Sequence, residues 1–486
     1  MAERPKNILL LWTDQQRADT VGTSKEPLLQ MPNLERLAAS GALFEQAYCA
    51  QPVCSPARAS VLTGVYPHAN GVIDNKIDLS PNVPTIAELL QPAGYSCGYI
   101  GKWHLGGETR AQRGFDYWVN TEDSYVGNHA TEGYSAYYHY LVSRGHTPSD
   151  PHHDSVIFDR RTAARLPEEE GKPAFQATEA IRFLETHRDQ PFLLSVNFSE
   201  PHSPYAGPFD DLYEAEEMTL PESWYLSMEE TVPLPVRRLR EAYARGYMAK
   251  GQLGVKSNDE PGWKELKTRY WGLCTLVDKY VGRILTGLEE LGLADDTIVV
   301  YTSDHGHIMG EHRLLNKSVQ YEPSTQIPLI IRAPGTSPRR VATPVSHVDL
   351  VSTLLDLLDR PLPEHLHGTS LVSLLGDGDT ALDDGEVVIE WSGLSATELV
   401  NAASFLGLPT DDSHVAVRTI RRGRWKLNVS TSGEHELYDL QADPAELHNA
   451  FGDPGNRVVT HDLYGRLLRW QRATDDTLSL PEIEAT

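Results

Sequence analysis

Four short apolar runs set the frame for this chain. Asn7 to Trp12, Pro191 to Phe198, Thr297 to Ser303 and Pro328 to Arg332 are each bounded by polar residues. A short run that is apolar at nearly every position suits a strand covered on both faces, and covered strands belong to α/β sheets. Helical patterns alternate with them: Pro32 to Gly41, Ala174 to Thr186, Glu265 to Leu293 and His347 to Leu358. Leu276, Val277, Tyr280, Val281, Ile284, Leu285 and Leu288 recur at helical spacing and mark a long core helix. With 486 residues the chain is long enough for a large domain with a well-buried core plus a smaller one.

In open α/β sheets chemistry gathers at the carboxyl ends of strands. The first run ends in Asp14-Gln15 and the third in Asp304-His305. Two oxygen-bearing side chains at one strand end, Asp14 and Gln15, suit a hard cation. Neighbouring strand ends of this kind could aim Asp14, Gln15, Asp304 and His305 at one point. Taken singly, Asp14 fits a cap of the next segment as well. Tyr95 to Ile100 reads as another strand, followed by Gly101-Lys102-Trp103-His104-Leu105-Gly106. On an extended segment, period two sends Lys102 and His104 to one side, which suits anion binding and proton handling. A surface Lys-x-His is the competing reading. His202 stands between Pro201 and Pro204 just past a strand end, where extended geometry would fix an imidazole. Lys317 adds a further cation after the third run.

Cys54-Ser55-Pro56-Ala57-Arg58 reads as a helix start, with Pro56 where a missing N–H does no harm. Arg58 lies one turn on, on the face of Cys54. A sulfur at the positive end of a helix dipole beside a guanidinium is a place to hold an oxyanion. A buried Cys on a capped helix would look the same in isolation.

Residues 119–165, rich in Tyr and His, read as a long, partly irregular excursion: a lid or binding loop whose rings stack on a ligand, or equally a surface loop anchored by its aromatic rings. Residues 206–260 show little period and read as a rim. After about residue 375 acidic and Gly-Asp residues mark a connection. His414 to Thr419, Arg424 to Asn428 and Glu436 to Leu440 then read as short antiparallel strands, with a helix around Asp462 to Arg472 to cover them. The domains expected are 1–375 and 376–486.

The net charge of −25 disfavours nucleic acid and anionic membranes as partners. No apolar run approaches the roughly 20 residues of a membrane span. An anionic substrate would need a local cluster of cations to reverse the field. Cys49, Cys54, Cys97 and Cys274 are too few and scattered for a disulfide scaffold or zinc motif. Met1 to Lys6 carries no secretory pattern, so a reducing cytoplasm is the expected setting. The sequons at Asn197, Asn316 and Asn428 are read as chance.

Cys-x-Pro-x-Arg followed by Ala-Ser-x-Leu-Thr-Gly resembles the signature of the type I sulfatases, members of the alkaline phosphatase superfamily. The N-terminal Asp-Gln, Gly-Lys-Trp-His-Leu-Gly, Pro-His-Ser-Pro, Thr-Ser-Asp-His-Gly, Asn-Lys and the C-terminal Gly-Arg-Trp-Lys…Leu-Tyr-Asp-Leu…Asp-Pro follow in the same order. The resemblance implies an α/β fold with a central mixed, mostly parallel sheet and a smaller C-terminal domain built on an antiparallel sheet plus helix. It implies that a formylglycine-generating enzyme oxidises Cys54 to formylglycine, whose hydrate is the nucleophile. One divalent metal would be held by Asp14, Gln15, Cys54, Asp304 and His305.

Calcium is usual in the family. Gln15 stands where many relatives have a second Asp, and His305 where some have Asn, so manganese or magnesium stays open. By the same resemblance Arg58 and the metal stabilise the attacking oxygen, and Lys102 and Lys317 neutralise the sulfuryl group. His202 protonates the leaving alcohol and His104 takes a proton from the second hydroxyl. The activity implied is hydrolysis of small-molecule or saccharide sulfate esters. The alternatives are a phosphonate or phosphate mono- or diester hydrolase of the same superfamily, and a catalytically silent binding protein. A homo-oligomer stays open.

Overall fold

The computed structural model describes residues 6–22, 27–123, 133–148, 157–159, 162, 164–226, 232–247, 259–376, 385–393, 397–410 and 414–483. Strands β1 (Asn7–Asp14), β2 (Ala42–Tyr48), β3 (Ser96–Gly101), β4 (Tyr117–Asn120), β5 (Phe192–Pro201), β6 (Thr297–Ser303), β7 (Gln326–Arg332), β8 (Arg339–Val341) and β9 (Val345–Ser346) form one sheet. Its order is β8-β2-β7-β6-β1-β5-β3-β4, with β9 also on β2. β7 runs antiparallel to both its neighbours and every other pairing is parallel. The sheet is therefore mixed and mostly parallel, as the resemblance implies.

β1 shows why a continuous apolar run is needed. All eight of its residues are buried. Ile8, Leu10 and Trp12 pack into one core with Leu62 of α2 (Cys54–Thr63) and Val351 and Leu354 of α5 (Asp349–Leu357). Leu9 and Leu11 enter the other, with Phe183 and Leu184 of α3 (Lys172–His187) and Val277 and Ile284 of α4 (Glu260–Glu290). With both faces covered, alternation has no polar phase to show. α4 starts at Asp259, whose carboxylate accepts the Gly262 N–H, and α1 (Pro32–Ser40) packs against it.

The C-terminal part forms a second sheet, in the antiparallel order β10 (Glu386–Trp391), β11 (Val417–Arg422), β12 (Trp425–Ser430) and β13 (Glu436–Asp439). Helix α6 (Arg457–Thr474) covers it through Leu463 and Leu467. Among the described residues no helix is long and apolar enough to cross a membrane.

Three local expectations change. The tyrosine cluster, expected in an irregular loop, is a helix, Ala136–Ser143, capped by Ser135. Tyr137 and Tyr140 pack on Phe175 with ring centroids 5.4 and 4.9 Å apart, so these rings are structural. About half of the rest of that excursion lies outside the described residues. Within 206–260 a helix, Leu234–Ala244, buries Leu239, Ala242 and Tyr243. Strand β10 follows the acidic connection and adds a fourth strand to the three expected there.

Candidate active site

Helix α2 begins at Cys54 without a side-chain cap from Val53. Its first turn is tied from outside instead: Asn75 Oδ1 accepts the Ser55 N–H at 3.0 Å, and Ser55 Oγ donates to the His104 carbonyl at 2.7 Å. All ten residues of the helix are buried. The helix therefore brings its positive end and Cys54 to the carboxyl edge of the sheet.

β1 and β6 are adjacent and in register, so Asp14 and Asp304 emerge side by side. Ligand atoms of Asp14, Cys54, Asp304 and His305 lie within 4.8 Å of one another, all buried. Cys54 Sγ is 3.8 Å from Asp14 Oδ1 and 3.3 Å from His305 Nε2. Asp304 Oδ1 accepts the backbone N–H groups of Gln15 (3.0 Å) and His305 (2.8 Å). Arg58, fully buried, donates to the Lys102 carbonyl (2.8 Å), Asn197 Oδ1 (2.7 Å) and Asp14 Oδ2 (3.1 Å), and lies 3.0 Å from Asp304 Oδ2. Lys102 Nζ donates to Asp14 Oδ2 at 2.6 Å.

These charges set the proton affinities. Burial would raise the Asp14 carboxyl, but Lys102, His202, Arg58 and Lys317 outweigh it and hold the group well below the usual range. Burial and Asp14 push the Cys54 thiol up; Lys102, Lys317 and His305 outweigh them and bring it down to about 7. Burial works against a charged His305 ring, and Asp304 opposes it and leaves the ring raised.

His104 departs from expectation. Its φ of 61° is left-handed, not extended, so period two does not apply. The turn is held by Glu108, which accepts the Trp103 and His104 N–H groups at 3.0 and 2.7 Å. His202 is also in a bend rather than an extended segment, its N–H donating to the Ser199 carbonyl at 3.2 Å. The residue that precedes a proline is Ser203, so the restriction falls there. The Ser203 carbonyl stands 2.9 Å from His202 Nδ1.

Lys317 Nζ donates to Gln15 Oε1. The Gln15 amide nitrogen lies 2.9 Å from His307 Nδ1, and His307 Nε2 lies 3.1 Å from Tyr205 Oη. Asn316 Oδ1 accepts from the same Gln15 nitrogen at 3.3 Å. Burial, then Arg17, Lys317 and His305, keep His307 well below its ordinary value and neutral. The structure adds His307, Tyr205, Asn316 and Asn197 to the site. Of these only His307 carries a local signal, two residues past His305 at a strand end. The three sequons are explained as well: Asn197 and Asn428 are buried, and Asn316 bonds within the site.

The fold and this buried set of acids, cations and thiol define a hydrolase of the alkaline phosphatase superfamily. A family model described as Sulfatase matches residues 6–360, and one described as N-sulphoglucosamine sulphohydrolase, C-terminal, matches 310–473. The chain belongs to the sulfatase family and is a sulfuric ester hydrolase. It is 30% identical to an uncharacterized sulfatase of Escherichia coli K12, over 96% of this chain and 87% of that protein. It is 28% identical to an N-acetylglucosamine-6-O-sulfatase of Bacteroides thetaiotaomicron, over 93% and 83%. Among solved structures, the phosphonate monoester hydrolase of Agrobacterium radiobacter superposes with a TM-score of 0.77 at 26% identity, over 97% of this chain and 96% of that one.

The family implies a metal and a formylglycine, and the residues fit both. Two carboxylates and an imidazole converge within bonding reach of one point, and Cys54 Sγ stands where the formylglycine oxygens would be.

Proposed function

We propose that this chain hydrolyses sulfate esters of small molecules or saccharides, with Cys54 as the nucleophile position. The observation that carries the reading is Cys54 Sγ at the start of α2, 3.8 Å from Asp14 and 3.3 Å from His305. Asp14, Gln15, Asp304 and His305 would hold a dication. Two carboxylates and an amide oxygen favour calcium, and the imidazole makes manganese and magnesium the alternatives to titrate. Cys54 would be oxidised by a formylglycine-generating enzyme; its hydrate would supply the attacking hydroxyl and the dication would lower the charge there.

The chain's own side chains do the remainder. Arg58 holds both carboxylates in one orientation, and Lys102 and Lys317 bind the sulfuryl oxygens as charge grows on them. His202 keeps Nδ1–H on the Ser203 carbonyl, so Nε2 is the nitrogen that delivers a proton to the leaving alcohol. His104, tied at both its N–H and its carbonyl, accepts the proton that ends the cycle. Four free cysteines support a reducing compartment as the setting.

The test compares sulfate release from an aryl sulfate with turnover of the matching aryl phosphate and phosphonate ester, and adds the mass of the Cys54 peptide. The expected result is an aldehyde mass, preferred sulfate release, and a fall of about 10⁴-fold or more in kcat for Cys54→Ala. Undiminished activity in that variant removes Cys54 as nucleophile. Faster phosphonate turnover transfers the reading to the activity named for the Agrobacterium protein.

A further inference from the structure

The C-terminal segments Gly423 to Lys426 and Asp443 to Glu446 contribute no side chain to the cluster around Cys54, yet they surround a fully buried cation. Lys426 is 0% exposed, and its Nζ donates to Glu446 Oε1 at 2.7 Å and Glu322 Oε1 at 3.0 Å. Glu446 Oε2 accepts the Glu322 backbone N–H at 2.7 Å. Tyr48, the last residue of β2, donates its hydroxyl to Glu322 Oε2 at 2.7 Å. Arg421 of β11 donates to that Tyr48 oxygen at 3.2 Å. Glu322 is thus held at both carboxylate oxygens and at its backbone.

Glu322 opens the turn Glu322–Thr325, and the carbonyls of this turn carry the two halves of the site. The Pro323 carbonyl accepts the His307 N–H at 2.6 Å, and the Ser324 carbonyl accepts the Gly306 N–H at 3.0 Å. The Thr325 carbonyl accepts the Cys49 N–H at 2.9 Å, on the segment that leads into Cys54. The Gly306 contact is so close that an added Cβ would stand 2.2 Å from the Pro323 oxygen and 2.6 Å from the Gln326 oxygen. Short directional bonds on a close-packed turn transmit any shift of Glu322 to both segments.

A buried Lys between two Glu is a poor stabiliser, because each ion must give up its water to be buried. It is a good registering device, because displacing one member strands the others. We propose that Lys426 is a positioning residue: through Glu322 it registers the Asp304–His307 loop against the Cys49–Cys54 segment. The C-terminal sheet thereby sets the geometry of a site to which it contributes no ligand. The metal readout below rests on the reading of that site as a metal centre, whereas the exchange readout does not.

The test uses the full chain and three variants. Lys426→Met removes the cation. Glu322→Gln keeps an acceptor for Lys426 and removes one charge. Asp476→Asn loosens the same sheet at Arg418, to which Asp476 is bonded at 2.9 and 3.1 Å, and controls for stability alone. Amide exchange is followed in peptides spanning 48–55 and 303–309, and calcium and manganese are titrated calorimetrically. Lys426→Met and Glu322→Gln are expected to speed exchange in both peptides and weaken metal binding by about tenfold or more, with β5 unchanged. Asp476→Asn is expected to do neither.

Wild-type exchange rates in both peptides of Lys426→Met overturn the proposal, as does equal acceleration in Asp476→Asn. If Lys426→Met does not fold, Glu322→Gln decides by the same criteria. Faster exchange in the variants together with a wild type that binds neither metal supports the registration and overturns the metal centre.

Discussion

Arg58 has no exposed surface, and its position is over-determined: one guanidinium reaches a backbone carbonyl, an amide and two carboxylates, and stacks 5.0 Å from the Trp12 ring. Lysine keeps the charge but cannot present several donors in one plane. Arg58→Lys should therefore cost about 3–5 kcal/mol of stability, read from denaturant midpoints, because Asp14 and Asp304 lose part of their compensation inside the protein. Lys102 plays a different part. It emerges just after β3, where Gly101 (φ 125°) turns so tightly that a Cβ would lie 2.0 Å from the Asn197 carbonyl oxygen. Lys102→Met keeps the stem and deletes the charge on Asp14. If Lys102 also meets the sulfuryl group, kcat/KM for an aryl sulfate falls about 10²–10³-fold at saturating metal. A change confined to metal affinity would reduce Lys102 to a partner of Asp14.

At the scale of elements, one histidine ties three of them together. His68 sits on the short helix Pro67–Asn70, directly after α2. Its Nδ1 is 2.5 Å from Glu390 Oε1 of β10, and its Nε2 is 2.9 Å from the Thr474 carbonyl that ends α6. Both partners are acceptors, so the ring makes both bonds only as the imidazolium. Burial opposes that charge, but Glu390, the Thr474 carbonyl and Asp476 outweigh it and hold His68 above its ordinary value. Arg418, 3.7 Å from Glu390, and His367, stacked 6.0 Å away, are the opposing charge and the neighbouring titratable ring. A group raised in the fold stabilises fully below its unfolded value of about 6.5, and that contribution is lost as pH rises through the folded value. The melting-temperature gap between wild type and His68→Asn should therefore be larger at pH 6 than at pH 9; an equal gap at both leaves His68 neutral in the fold. Elements of this kind were only partly legible. β1, β5 and β6 could be read because burial on both faces leaves nothing but apolar residues, and the acids at their ends follow from sheet geometry. The left-handed turn at His104 is set by Glu108, and the Gln15 amide by His307, Tyr205 and Asn316. Most of those partners lie far away in the chain and leave no local pattern. The helix Leu234–Ala244 was obscured by Pro233 and Pro235, although a proline in a first turn is compatible with a helix.

For the whole molecule the question is how an anion reaches this site. The chain carries a net charge of −25, whereas Arg58, Lys102 and Lys317 converge on Asp14 and its neighbours inside. The two fields differ in range. At low salt, with a screening length of roughly 30 Å at 0.01 M, an approaching sulfate ester feels the whole surface and is repelled. At about 0.15 M the length falls to roughly 8 Å, so the surface is muted, while cations that meet the ester at the site, as proposed above, would be hardly screened. Association of an anionic ester should thus quicken with salt, the reverse of the usual steered encounter. The expected rise in kcat/KM between 0.01 and 0.15 M is severalfold, on the order of tenfold at most. A zwitterionic sulfate ester of zero net charge supplies the control, since the distant field exerts no net force on it. Its kcat/KM should stay level over the same range. A fall for the anionic ester would mean that the local cations reach past the rim and dominate the approach.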